Sequence, residues 1–501
     1  MTELTDSTLD AITVRRRRTI FVVTALGAFM GSLDLSIVNV AFPALERAFS
    51  HDSRAALSWV LTGYAIVFGS LLVVAGRTAD RLGSRRVFFF GLGVFCVGSF
   101  LCGVAPSVAA LISGRLVQGV GASAMLPASL GLLLAAYSKE RRSQIVSLWG
   151  GIGALAVATG PSLGAVLITG FGWRAAFYVN LPVGLLAWLL GRRVLPKTSG
   201  SEPTSSPDYR GVILLSGAIA LMVLAISEGP SWGWSSARIV AGFVVGAALF
   251  ATFLYRSSHH AEPVLDLSLF RARSFSVANA AALVYAMGFF AMLLGNILFL
   301  TSVWHYSILR AGLSVTPGPL VVAVVSGPAG KLASRFGFRR VLTSGFVVFT
   351  LGVLWYLWRV HLTPNYPALW LPGTLIVGLG IGFTFPVLSA TAVSSLEPAR
   401  YSVGSAVNQT ARQIGGALGV AILVVILATP RSPAAALTNF RHLWIYIAAM
   451  AALAGVICTA LARPSQVIAS TLDSAEAHGL EEMLDAEIVL DQRPRRARDA
   501  E

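Results

Sequence analysis

Apolar runs about twenty residues long, the length at which a helix crosses a bilayer, fill most of this chain. Fourteen are long enough, near residues 19–42, 57–76, 87–105, 108–135, 144–169, 175–191, 211–229, 237–255, 275–301, 312–332, 341–358, 368–391, 404–428 and 441–461. In hydrocarbon every backbone N–H and C=O must be satisfied within its own segment. The expected fold class is therefore all-α and polytopic. Composition agrees: 55% of the residues are hydrophobic and 12% charged, about half the charged share of a soluble domain. The first run follows Arg15–Arg18 with no small-residue cleavage site at signal-peptide distance, so it reads as a retained span.

The connectors test the span count. Numbered alternately, one side carries 28 of the Lys and Arg residues and the other carries 8. A miscounted span would scramble that asymmetry. The positive-inside rule then places both termini in the cytoplasm of a cell whose inner (plasma) membrane holds the protein. The net charge of +15 is spread over connectors rather than gathered on one soluble face, which speaks against nucleic acid and for orientation in the bilayer. Cys96, Cys102 and Cys458 lie in apolar runs and suggest neither disulfides nor a metal. No P-loop, metal-ligand cluster or intramembrane His/Asp/Ser constellation is present, so an enzyme is not expected and no cofactor is called for.

Two connectors repeat one pattern. Gly76–Arg86 reads GRTADRLGSRR and Gly330–Arg340 reads GKLASRFGFRR, 254 residues and eight spans apart. Two six-span halves with an inserted pair would give that separation, and duplicated halves around a midplane site are the architecture of secondary transporters. The expected organisation is a cytoplasmic tail at 1–18, a first half at 19–191, a Ser/Pro-rich linker at 192–210, two additional spans at 211–255, a second half at 275–461 and a cytoplasmic tail at 462–501. That last tail reads as solvated chain, with a short amphipathic docking helix near 480–490 as the alternative.

Here the sequence resembles a known family. Gly76–Arg86 is similar to the loop signature of the major facilitator superfamily, with Ser334 in the second copy where the first has Asp80. LISGRLVQGVGAS (Leu111–Ser123) resembles its fourth-span signature, and GPSLGA (Gly160–Ala165) its antiporter signature with Ala165 for the last glycine. LDLSIVNVAFP (Leu33–Pro43), GWRAAFYVNLP (Gly172–Pro182) and NQTARQIGGALG (Asn408–Gly419) resemble the fourteen-span drug:proton antiporters. The resemblance implies the major facilitator fold and export of amphiphilic or cationic small molecules, drugs or metabolites, in exchange for protons. A proton gradient would then take the place of a cofactor. The partners are a small-molecule substrate, protons and lipid, and a monomer is the expectation. Proton-independent transport or import on the same fold, and a membrane sensor acting through its C-terminal tail, are the alternatives.

The residues themselves point to Asp34. Nearly every other acid falls in a tail, a connector or a span end, and all seven His residues do the same. A charge so deep costs roughly 2.5–3.5 kcal/mol on insertion scales. With its span ending near Phe42–Pro43, Asp34 is expected roughly 12–13 Å below the outer surface, and Arg115 at roughly 11–12 Å, so the two can pair. Two readings stay open. Either the pair is a permanent structural one, or Asp34 exchanges a proton as water and substrate reach it in alternate states.

Three further groups are candidates. Gly76, Asp80, Arg81, Gly83, Arg85 and Arg86 form a short basic turn that could latch one conformation. Its arginines also anchor topology. Gly153, Gly160, Pro161 and Gly164 permit close helix approach and a kink, as tight packing or as a hinge. In the antiporters this chain resembles, that segment seals the interface against leak. Asn39, Gln118, Asn180, Tyr285, Asn408 and Arg412 are candidate cavity residues, with Asn279, Asn296 and Gln409 also polar within spans or near their ends. Interhelical hydrogen bonding is the alternative for each. Trp59, Tyr64, Tyr178, Tyr285 and Phe289 could stack on a planar substrate, or simply pack.

Overall fold

A computed structural model describes residues 2–137, 139–196, 208–260, 263–394, 396, 401–428, 430 and 432–461. The side chains of residues 2–14, of Asp80 and of several positions in 139–158 and 401–402 lie outside that description. The described chain is helical: α1 Thr2–Ala48, α2 Arg54–Leu82, α3 Ser84–Gly103, α4 Val108–Ala136, α5 Lys139–Phe171, α6 Ala175–Tyr178, α7 Asn180–Val194, α8 Tyr209–Trp232, α9 Ala237–His259, α10 Arg273–Ser302, α11 Ile308–Val315, α12 Pro317–Phe336, α13 Phe338–Arg359, α14 Leu371–Val393, α15 Tyr401–Leu427 and α16 Pro433–Cys458. Among the described residues thirteen segments are long and apolar enough to cross a membrane, and the apolar part of α5, Thr159–Phe171, forms a shorter one.

Local chemistry sets the breaks. Ser53, Ser107, Ser236 and Ser432 each accept a hydrogen bond from a first-turn backbone N–H of α2, α4, α9 and α16, satisfying donors that a helix start leaves open. The span expected at 312–332 begins earlier, at Ile308, and is broken at Thr316. Pro317 has no N–H to give the preceding turn and starts α12 at its first position. The span expected at 175–191 is likewise split, at Val179, and a π-helical turn over Tyr366–Trp370 precedes α14.

Two groups of helices pack among themselves: α1 against α4, α5 and α7, with α3 and α2 on α4; and α10 against α14, α15 and α16, with α13 on α14 and α16. The groups meet where α2 lies along α15 and where α5 lies along α11 and α12. Helix α8 fills the groove between α2 and α15, with Val212, Leu215, Ile219 and Val223 against Ala65, Ile66, Ala417 and Ala421. Its partner α9 turns outward. Only 17% of its apolar window is buried, against 83% for α2. Asp208 ties the hairpin's base by accepting from Gly211 N at 2.9 Å and Arg256 Nε at 2.6 Å.

The bundle has an arginine-rich end and an opposite end. At the first, Arg16 Nε donates to Val194 O (3.2 Å), Arg85 Nη2 to Arg192 O (3.2 Å) and Tyr137 Oη to Arg17 O (3.1 Å). At the second, Arg54 pairs with Glu46 at 2.6 Å and Arg174 Nη2 reaches Ala105 O at 3.3 Å.

Small residues let helices touch. A methyl added at Gly419 of α15 would strike the Met287 carbonyl oxygen of α10, and one at Gly415 that of Leu283. Gly419→Val should therefore destabilise the protein by about 1–3 kcal/mol, the usual cost of overpacking. Thermal unfolding in detergent reads it. An unchanged transition would mean that α10 and α15 are free to separate.

Candidate functional site

The first candidate site is built by α1, α2, α3, α4 and α7. Asp34 and Arg115 are both completely enclosed, at 0% exposure, and Arg115 Nη1 lies 2.6 Å from Asp34 Oδ2. The other carboxylate oxygen accepts from Gln118 Nε2 at 2.8 Å and Asn180 Nδ2 at 3.4 Å. The same two amides donate to Ser99 Oγ at 2.8 and 3.2 Å. Arg115 further donates from Nη1 to Gln118 Oε1 at 2.6 Å and from Nε to the Val60 carbonyl at 2.9 Å. Its guanidinium lies 4.0 Å from the centroid of the Tyr64 ring. Every strong acceptor of Asp34 is thus met by a donor. Arg115 Nη2 and the Tyr64 hydroxyl remain buried without a partner.

This arrangement follows from sequence spacing. Arg115 and Gln118 are three residues apart on α4, hence on one face, and project together toward α1. Gly98 and Gly114 let α3 and α4 close up. A methyl at Gly98 would lie 2.6 Å from Gln118 N, and one at Gly114 2.8 Å from Cys102 Sγ. Helix α1 runs past Pro43 to Ala48, fourteen residues beyond Asp34, while Arg115 lies seven residues into α4 from Val108.

The candidate cavity residues fall in several settings, with Tyr285 and Arg412 both against Phe385. Gln118 and Asn180 belong to the Asp34 cluster. Asn39 donates to Leu35 O of its own helix at 2.6 Å. Tyr285 accepts from Thr384 Oγ1 at 3.0 Å inside an aromatic group with Phe289, Phe346, Phe349 and Phe385. Asn408 Nδ2 donates to Asn279 Oδ1 at 3.2 Å. Arg412 donates from Nη1 to Ser389 Oγ at 2.7 Å and from Nη2 to Gln409 Oε1, and lies 4.6 Å from the Phe385 ring centre. Tyr64, a candidate for stacking on substrate, stacks on the protein's own Arg115.

The basic turn is tighter than expected. Helix α2 continues to Leu82, so Gly76, Asp80 and Arg81 lie in its last turns, and the reversal is made by Gly83 alone, at φ 90°. The stretch Ala79–Leu82 holds no residue that stops a helix, whereas a positive φ suits only glycine. Gly337, its counterpart in the repeat, has φ 86° between α12 and α13. The repeat seen in the sequence is thus a repeat of backbone conformation. Gly76 packs beside Pro127, Arg85 reaches Arg192 O, Arg86 is exposed, and the Asp80 side chain lies outside the described residues.

The glycines of α5 bring two neighbours close. Gly153 faces Ser32, Gly160 faces Ser36 and Gly164 faces Ile37, all on α1. On α11, a methyl at Gly312 would lie 2.6 Å from the Pro161 carbonyl oxygen and 2.5 Å from Ala165 Cβ. The segment Gly160–Ala165 therefore sits where the two helix groups touch.

Known proteins bear out the fold. The sequence profile described as Major Facilitator Superfamily matches residues 24–298, 209–420 and 279–481. The chain is 34% identical over 411 residues to the Multidrug resistance protein Stp of Mycobacterium tuberculosis, covering 81% of this chain and 75% of that protein. It is 32% identical to the Tetracenomycin C resistance and export protein of Streptomyces glaucescens (81% and 75% covered) and 32% identical to the Methylenomycin A resistance protein of Bacillus subtilis (81% and 87%). A solved bacterial homologue of the human drug peptide transporters PepT1 and PepT2 superposes with a TM-score of 0.61 at 16% identity, over 89% of this chain and 98% of that one. By these matches the chain belongs to the Major Facilitator Superfamily and is a membrane transporter, not an enzyme.

Proposed function

We propose that this transporter exports amphiphilic small molecules of the drug or antibiotic kind in exchange for protons, by alternating access. The observation that carries the reading is the pair of Asp34 and Arg115, an ionisable carboxylate held at the heart of one helix group by donors from α4 and α7. A buried ion pair of this kind is expensive to keep in a bilayer and is retained where it works. The resistance and export names of the relatives support the cargo class and the direction.

In this reading α5 is the fourteenth span: its helix is 33 residues long, enough to cross, and only an even count keeps the arginine-rich connectors on one side. By the positive-inside rule that end faces the cytoplasm, together with both termini, in the inner (plasma) membrane. The two halves are residues 19–191 and 275–461, and the hairpin of α8 and α9 lies between them in sequence. The protein works as a monomer, with the proton gradient in place of a cofactor. Contact of α5 with α11 seals one arrangement, and opening there while closing at the arginine-rich end gives the other. Arg81, Arg85 and Arg86, with Gly83 at the turn, latch that end. Asp34 takes a proton when it parts from Arg115 and gives it up when the pair re-forms. Proton and cargo bias the same equilibrium in opposite directions.

Transport in proteoliposomes tests this. Asp34→Asn keeps the side-chain shape and loses the charge, and should lower gradient-driven export at least about tenfold while leaving gradient-free substrate exchange measurable. Export by the variant that still follows the imposed pH gradient would overturn the coupling role. Wild-type flux indifferent to the gradient would favour a proton-independent carrier.

A further inference from the structure

Among the described residues a second cation, Arg412, lies within a span and is paired with no acid. Arg412 is on α15, nine residues into the apolar segment Val403–Leu427. That is about 14 Å, close to the middle of a hydrocarbon core about 30 Å thick. Its hydrogen-bond partners are neutral: the Ser389 hydroxyl on α14 and the Gln409 amide one turn back. Its Nε is buried and has no hydrogen-bond partner. Asp34, the carboxylate at comparable depth, is already taken by Arg115. Among the described residues the charges within spans therefore leave one positive charge over.

The surroundings look made for cargo rather than for lipid. Arg412, Gln409, Ser389 and Phe385 are each half-buried, on helices packed inside the bundle, where polar side chains face the bundle interior rather than lipid. Phe385 underlies the guanidinium at 4.6 Å and is backed by the buried rings of Phe289 and Tyr285. The exposed part of the Phe385 ring gives a planar apolar body a face to lie on beside the N–H donors. Guanidinium recognises carboxylate, sulfonate or phenolate through charge-assisted hydrogen bonds, and Nε is the donor left without a partner.

We propose that Arg412, Gln409, Ser389 and Phe385 form a midplane site for the anionic group of an aromatic amphiphile. This deepens the export reading, on which it rests only for the direction of movement, and gives the cargo a negative rather than a positive charge. The anion supplies the countercharge that the chain withholds. An ammonium head would instead meet an unscreened like charge.

The test uses the purified full chain in lipid nanodiscs, with empty nanodiscs as blank, and three ligands sharing one ring system: 1-naphthoate, 1-naphthylmethanol and 1-naphthylmethylammonium. Equilibrium dialysis should show naphthoate bound about ten- to one-hundred-fold more tightly than the alcohol, the range expected for charge-assisted hydrogen bonds. The ammonium should be bound least. Arg412→Gln should erase the ranking, and Arg412→Lys should keep its order with a smaller spread. Equal binding of the three, preference for the ammonium, or no specific naphthoate binding to wild type would overturn the proposal. So would an undiminished preference in Arg412→Gln. If that variant does not fold, the wild-type ranking and Arg412→Lys decide. Binding is read at equilibrium without a gradient. Naphthoate held at Arg412 without coupled export would keep the site and defeat the exporter, and coupled export without naphthoate binding would do the reverse.

Discussion

Arg115→Met is expected to cost about 3–5 kcal/mol of stability, because removing one partner of an enclosed ion pair strands the other. Asp34 would keep its bonds from Gln118 and Asn180 and lose the one charge that compensates its own. Adding Asp34→Asn to that variant removes the stranded charge, so the double variant should regain most of the lost stability. The pair of measurements separates the two readings of the site. If Asp34 and Arg115 are a permanent structural pair, the double variant folds and transports. If the pair is the coupling element, the double variant folds and gradient-driven export stays at least about tenfold down. Thermal unfolding in micelles and export from proteoliposomes supply the two axes. A stable, fully active double variant would end the coupling role of this site.

Much of that site was legible in the sequence, for a physical reason. Hydrocarbon penalises charge so strongly that an acid surviving deep in a span declares itself by exclusion, and Arg115 declares itself by matching depth. Partners that carry no such penalty left no mark. Ser99 and the Val60 carbonyl complete the cluster, yet a serine in an apolar run is unremarkable and every residue has a carbonyl. Tyr64 stood out only as an aromatic, and its place beneath a guanidinium depends on how α2 and α4 pack. Arginines mark the connector between α2 and α3 without marking where the helix stops. Gly83 does that. The wedge of α8 between α2 and α15 was not readable at all, since an apolar face suits lipid and protein equally. Arg412 was visible as a polar residue within a span, but its want of a countercharge became visible only when Asp34 was found already paired.

Gly312→Val should act on the conformational equilibrium rather than on the fold. Its added atoms would press on the Pro161 carbonyl and on Ala165, which belong to the other helix group. Strain at that contact can be relieved by parting α11 from α5, whereas strain inside one group, as at Gly419, has no such outlet. Gly312→Val should therefore melt within a few degrees of wild type while export falls at least about tenfold, because a population held open at one end completes no cycle. Ser314, buried at 5% exposure on α11, offers a direct readout. With Cys96, Cys102 and Cys458 replaced by Ser, a Ser314→Cys reporter in detergent should react slowly with maleimide. Adding Gly312→Val should quicken that reaction severalfold. An unchanged reaction rate together with normal export would mean that the approach of α5 to α11 is ordinary packing and that the seal between the two groups lies elsewhere. Quickened labelling with lost export would tie this glycine, and the Pro161 carbonyl it leaves room for, to the closing step itself.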